Sequence, residues 1–270
     1  MLACPDCKKQ LQELKCVTCG SRFSRSPSGI PILVSLKATD PGITVISDAY
    51  DEIYEARTGV WVDQGRTDDF LRYFAALLNG FSPERILEIG CGEGFLLEAV
   101  RHRSPAAIDV SEKALARARN RCTPEATLAV AFAESLPFVG DCFDVVYSVG
   151  VMEHFADDVG ANKEIYRVLR PGGKNVVLIH TKLNVFQKVA QKLREYVFPA
   201  PRMGALLTWL GSKLKKPIHQ PIQHHYTVAS ARQVLESAGF VVNEIRTTTT
   251  HPPAPFIGPH VVAFVASKPS

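Results

Sequence analysis

The sequence predicts an α/β fold: a seven-stranded, mostly parallel sheet covered by helices and closed by an antiparallel C-terminal strand, with a small N-terminal module and a helical insertion. Three observations predict it. From residue 85 onward short apolar runs alternate with stretches of helical periodicity, the pattern that builds parallel sheets from strand–helix–strand units. The first of these runs passes directly into LEIGCGEG (Leu87 to Gly94), whose three glycines within five residues let backbone approach a ligand closely. Four of the seven cysteines fall in the first nineteen residues, as two Cys-x-x-Cys pairs.

Size and composition agree with one main domain and a small appendage. The chain has 270 residues, 46% of them apolar and 21% charged, enough for a single substantial core. No apolar run approaches the roughly 18 to 20 residues that span a bilayer, and no basic segment leads into an apolar one at the N-terminus. A cytoplasmic protein is therefore expected, with cysteines serving as thiols or metal ligands and not as disulfides.

Residues 1–40 form the first unit. CPDC (Cys4, Cys7) and CVTCG (Cys16, Cys19) are separated by eight residues. Each pair directs two sulfurs to one point, so together they make a tetrahedral thiolate cage for Zn2+, and a segment too small for a core gains its stability from the metal. With four protein ligands the zinc is expected to be structural. The stretch resembles zinc-ribbon (Trm112-like) modules that end in a Gly-Ile-Pro turn and an apolar strand, here GIPILVSL from Gly29 to Leu36.

Residues 41–80 read as a helical cap. The aromatic and acidic stretch DAYDEIYEARTGVW starts at Asp48, and Thr67 to Leu78 follows with helical spacing of Phe70, Leu71, Phe74, Leu77 and Leu78, Thr67 being the candidate N-cap. Residues 81–270 form the main domain. Its expected strands are Arg85 to Ile89, Ala106 to Val110, Thr127 to Phe132, Phe143 to Val149 and Asn175 to His180; helices are expected over Ser111 to Arg121 and Asp157 to Leu169, the latter stopped by Pro171-Gly172-Gly173. Helix Val228 to Ala238, then strands Phe240 to Thr248 and His260 to Ser267, predict a hairpin-like antiparallel edge.

An insertion, a lid spanning 182–226, interrupts that order. From Lys182 to Pro217 it carries eight basic residues against one acid, Glu195, so its local charge of +7 exceeds the chain's +4. Three readings stand: a lid lining an acceptor pocket, a peripheral contact with an anionic membrane, or a contact with nucleic-acid phosphate.

The glycine loop departs from a dinucleotide fingerprint, because Phe95 stands where the third glycine would be and Glu88 would repel a pyrophosphate. An acid there suits a cation. ILEIGCGEGFLLEAV resembles motif I of the class I S-adenosylmethionine (SAM)-dependent methyltransferases, of the methyltransferase type 11 kind. The resemblance continues through AIDVSEKAL, AESLPFVGDCFDVVYSVGVMEHF and LRPGGKNVVLI. It implies a Rossmann-like sheet and SAM as cofactor. It also implies a binding set of Glu88, Gly90, Cys91, Gly92 and Gly94 in the loop, Asp109 on the ribose hydroxyls with Val110 beside it, Phe132, Ala133 and Glu134 around adenine, and Ser148 on the fourth strand. Tyr50, Tyr54 and Trp61 would cover the cofactor from the N-terminal side. One position departs from the family, which commonly has Gly-Asp-Ala-Glu where this chain has Ala131-Phe132-Ala133-Glu134. Phe132 cannot accept the adenine amino hydrogen bond; it either packs on adenine, with a backbone carbonyl near Ala133 serving the amino group, or is a core residue.

Methyl transfer is an in-line displacement, and a base is needed only where the acceptor must lose a proton. His154, His225 and His224 are the candidate bases, each weighed against a purely structural role; His180 ends the fifth strand. The expected function is SAM-dependent methylation of a small-molecule acceptor, hydrophobic or lipid-like, at oxygen. Two alternatives are an RNA base methyltransferase, since a ribbon ahead of such a domain also resembles the rRNA guanine-N1 enzymes, and a non-catalytic SAM-binding module.

Overall fold

A computed structural model of the chain describes residues 1–35, 41–56, 68–181, 224–247 and 261–270. Most of the insertion 182–226, Trp61, Thr67 and the proline-rich stretch 251–259 lie outside the described residues.

The seven expected strands are present: β3 (Arg85–Ile89), β4 (Ser104–Asp109), β5 (Thr127–Val130), β6 (Phe143–Val149), β7 (Leu169–His180), β8 (Val241–Arg246) and β9 (Val261–Ser267). The interior strands form because their side chains are largely apolar on both faces, as a sheet buried on both sides requires; from Ile86 onward β3 is entirely buried, whereas β8, with Asn243, Glu244 and Arg246, is only partly covered. On one face the core packs Phe74, Leu78, Leu97 and Leu115 from helices α2 (Asp68–Asn79), α3 (Phe95–Ala99) and α4 (Glu112–Arg119). On the other it packs Ala161 and Ile165 of α5 (Asp158–Val168) and Leu235 of α6 (Val228–Ser237).

Helix starts follow their side-chain caps. Ser111 Oγ accepts from Ala114 N at 3.1 Å, Asp157 from Gly160 N at 2.8 Å, and Thr227 and Ser230 make a reciprocal box. The stop of α5 falls earlier than the glycines suggest. Pro171 biases Arg170 toward extended backbone, so the helix ends at Val168 and Pro171-Gly172-Gly173 is absorbed as an irregularity at the start of β7, between the pairs Phe143–Leu169 and Val145–Lys174.

Among the described residues the sheet has nine strands, in the order β1-β2-β5-β4-β3-β6-β7-β9-β8. The two beyond the expected seven, β1 (Ser24–Arg25) and β2 (Pro31–Ile32), come from the N-terminal module. β2 runs parallel to β5, with Ile32 opposite Val130 and Leu33 N donating to Val130 O at 2.8 Å, so the module extends the sheet and covers its edge. At the other side β9 lies antiparallel between β7 and β8, so the final strand is interior and β8 is the edge. Helix α1 (Pro41–Ala56) packs Tyr50 and Tyr54 on Ala114 of α4. No described helix is long and apolar enough to cross a membrane.

Gly94 is the position where the fold depends on a missing side chain. Its φ is +78°, and a Cβ there would lie 3.1 Å from the Ala118 Cβ and 3.2 Å from the Cys122 Sγ. Gly94→Ala should therefore lower stability by about 2 to 3 kcal/mol, from left-handed backbone strain and overpacking together, as read from denaturant midpoints.

Candidate functional site

Strand order reverses around β3, which has β4 on one side and β6 on the other. At such a point the C-terminal strand ends leave a crevice. Gly90, at the start of the glycine loop, lines it. Gly90 (φ +66°) and Cys91 both donate to Ile108 O, at 2.9 and 3.1 Å, and a Cβ on Gly90 would lie 2.6 Å from the Val151 side chain. Glu93, 3% exposed, holds the loop to α4 by pairing with Arg117 at 2.8 Å.

Asp109 ends β4 and is buried. Its Oδ2 accepts from Gly92 N at 2.8 Å and its Oδ1 from Ser111 N at 2.9 Å. Burial pushes its carboxyl up to about 6, against the opposing pull of the backbone N–H donors. A carboxylate offers about four acceptor sites, so Asp109 retains capacity toward the crevice it lines.

Tyr50 and Ile46 of α1 form the cover. Helix α1 is tied down by Asp51, whose Oδ1 accepts from Ser111 Oγ at 2.5 Å and Lys113 N at 3.1 Å, and by Ser47 Oγ, which donates to Val110 O at 2.8 Å. Tyr50 meets the His154 ring edge-on, centroids 6.2 Å apart, and burial pushes its hydroxyl well above the usual phenol range. Among the described residues the lining contains two carboxylates, Asp109 and Glu134, and no lysine or arginine. That donor set fits SAM, which bears two cationic groups and no phosphate, better than a dinucleotide.

The crevice brings together Gly90, Asp109, Val110, Phe132, Ala133, Glu134 and His154 of the expected set, with Tyr50 and Tyr54. Phe132 is half-buried on the crevice wall and not in the core, which favours the aromatic-packing alternative; Glu134 Oε1 accepts from Ala156 N at 2.7 Å. The remaining loop residues are placed otherwise. Glu88 is buried within β3, opposite Tyr147 of β6, and its Oε2 accepts from the buried Tyr147 hydroxyl at 2.9 Å. Cys91 packs in the α2–α4 core layer, Gly94 against α4, and Ser148 is buried one residue before the lining residues Val149, Gly150 and Val151. Gly92 contributes its N–H to Asp109.

The histidines separate. His154 lines the crevice. His224 and His225 are exposed and do not line it; His224 clamps the neighbouring turn, its N donating to Glu153 O at 2.7 Å and its ring Nε2 to Phe155 O at 2.9 Å. His180 bonds Glu153 Oε1 through its N, at 2.6 Å, and its ring Nδ1, at 3.1 Å. Val34 and Ser35, which also line the crevice, carried no signal in the sequence, since nothing in a short apolar strand says which neighbour it will meet.

Cys4, Cys7, Cys16 and Cys19 place all four Sγ atoms within 4.8 Å of one another, with pairs at 3.3, 3.6 and 3.7 Å. Tetrahedral thiolates around zinc stand about 3.8 Å apart, so the residues fit a structural zinc. Cys19 is pulled down to about 6, first by the Ser21 hydroxyl, whereas burial pushes Cys4 up to about 12. A divalent ion would deprotonate all four.

Residues 87–177 match the family model described as a methyltransferase domain. The demethylmenaquinone methyltransferase of Thermus thermophilus is 38% identical over 105 residues, 36% of this chain and 47% of that protein. The ubiquinone biosynthesis O-methyltransferase of Parvibaculum lavamentivorans is 33% identical over 114 residues, 40% of this chain and 45% of that protein. The chain thus spans about half the length of these curated relatives. The structure of Burkholderia thailandensis 1,6-didemethyltoxoflavin-N1-methyltransferase superposes with TM-score 0.55 at 17% identity, covering 93% of this chain and all of that one, and shares the Rossmann-like fold.

Purified chain should carry one zinc per molecule by elemental analysis, and Cys4→Ser or Cys16→Ser should reduce this to a small residual fraction.

Proposed function

We propose that this chain, whose residues 87–177 match the methyltransferase-domain family model, binds SAM in the crevice and methylates a small, apolar acceptor at oxygen. The observation that carries this reading is a largely apolar cleft at the strand switch point whose charged lining, among the described residues, is two carboxylates without a basic partner. Such a lining attracts an organic cation and repels phosphate. The relatives named for menaquinone and ubiquinone pathways support a hydroxylated, lipid-like aromatic acceptor.

The residues divide the work. Asp109, its orientation fixed by Gly92 and Ser111, would accept from the ribose hydroxyls. Phe132, on the crevice wall, would hold the adenine by stacking, and Tyr50 with Ile46 would cover the bound cofactor. Bound SAM supplies a methyl group on a sulfonium, a good electrophile with a neutral leaving group. The chain's task is then alignment and proton removal. His154 takes the proton of the acceptor hydroxyl as oxygen attacks, and its edge-on contact with Tyr50 fixes the imidazole plane. The four-cysteine cage would hold a structural zinc and offers no reacting group, all four of its ligand positions being cysteine.

SAM affinity, measured by isothermal titration, should fall as pH drops through about 6, since protonating Asp109 removes its charge and one acceptor site; binding at pH 5 should be about tenfold weaker than at pH 7. Asp109→Ala should flatten that dependence and weaken binding at pH 7; undetectable binding of SAM by the parent chain would overturn the reading. With labelled SAM and a hydroquinone or catechol acceptor, His154→Gln should lower kcat about 100-fold or more while leaving SAM affinity within twofold.

A further inference from the structure

We propose that the first cysteine turn positions the wall of the cofactor crevice, so that metal in the four-cysteine cage and SAM in the crevice strengthen one another's binding. The inference rests on the SAM reading above and adds regulation of that same site through Ser35 and Ser135.

Pro5 and Asp6 are the two residues between the ligands Cys4 and Cys7. Each holds a serine of the crevice. Ser135 Oγ donates to the Pro5 carbonyl at 2.6 Å, and Ser35 Oγ donates to Asp6 Oδ1 at 2.5 Å. Both serines line the crevice, Ser135 directly after Phe132-Ala133-Glu134. The second cysteine turn reaches the same carboxylate: Ser21 Oγ, 3.2 Å from Cys19 Sγ, donates to Asp6 Oδ2 at 3.5 Å. Lys8, next to Cys7, adds a further tie, donating to Ser135 Oγ at 3.2 Å and pairing with Glu164 of α5 at 2.7 Å. Backbone bonds extend the seam, Ala3 N to Pro137 O at 2.9 Å and Val139 N to Met1 O at 3.2 Å.

Met1, Leu2, Leu11 and Leu14 pack the flanking segments on the core, but the residues between the cysteines of the two turns are mostly polar or, like Val17, exposed, so the local geometry of each turn depends on the metal. With the cage filled, the Pro5 carbonyl and the Asp6 carboxylate are fixed and the two serines are held with them. With the cage empty, the turn gains freedom, both tethers loosen, and the 132–135 wall must be ordered by the cofactor at its own expense. Coupling between two sites is reciprocal, so SAM in turn retains the metal.

The test titrates S-adenosylhomocysteine and SAM into zinc-loaded chain, chelator-stripped chain, and the double variant Ser35→Ala with Ser135→Ala. Stripping should weaken binding about tenfold and zinc should restore it. The double variant should keep one zinc yet bind weakly whether loaded or stripped, while Ser135→Thr, which keeps a hydroxyl, should retain the metal dependence. Saturating S-adenosylhomocysteine should slow zinc release to a chromogenic chelator in the parent and not in the double variant. Equal affinity of loaded and stripped chain, with the circular dichroism spectrum unchanged, overturns the proposal. Should stripping unfold the chain, the zinc-loaded double variant decides, and parental affinity in it overturns the coupling. Failure of the loaded parent to bind SAM at all is a separate result: it removes the SAM reading, and this inference with it, while zinc content stays at one per chain.

Discussion

A buried carboxylate must find donors or lose its charge, and the environment of Asp109 is organised around that constraint. Gly92 and Ser111 supply N–H groups to its two oxygens, which couples the glycine loop after β3 to the second residue beyond β4. Ser111 is at once the N-cap of α4 and the hydroxyl donor to Asp51, so the same turn also anchors α1 over the crevice. Loop, helix start and cover are therefore one hydrogen-bonded unit. The loop cannot shift without disturbing the cover.

The N-terminal module enters this unit from the far edge of the sheet. Parallel pairing of β2 with β5 brings Val34 and Ser35 to the crevice, and Arg167 of α5 meets the other end of the seam, donating to the carbonyls of Leu136 and Phe138 at 3.1 and 2.9 Å while pairing with Glu164. A segment that reads in sequence as an appended domain is structurally an edge strand and a wall. Burying Lys8 lowers its amine, and the Glu164 carboxylate opposes that shift, which keeps the charge at the contact compensated.

The sheet was legible because its strands are short apolar runs bounded by turn residues, and β3 and β6 begin and end where the pattern predicts. The helix starts expected at Ser111 and Asp157 were equally local, and in the structure those two residues are the caps. Sequence spacing is blind to side-chain direction, and this is where expectation and structure part. Glu88 and Asp109 are both acids near strand ends, yet Glu88 pairs with Ala107, two positions short of Asp109, so it stays in the core beside Tyr147 while Asp109, the last residue of its strand, reaches the crevice. Likewise the three glycines look equivalent, but Gly90 makes room for Val151 and Gly94 for α4. Ser35 was invisible because its role arises from pairing across roughly a hundred residues of chain, which no local pattern records.

The position of β9 has a consequence for how the chain assembles. β8 precedes β9 in sequence, but among the described strands its pairing is with β9, and β9 alone joins it to β7. Until β9 arrives, the long, mostly buried β7 presents an unpaired apolar edge, and β8 has no partner to dock against. The crevice half of the sheet can form first, since β3 to β6 pair among themselves. β9 therefore carries the closure of this side of the sheet, and any opening that frees it bares the apolar edge of β7 to mispairing with another copy of the chain.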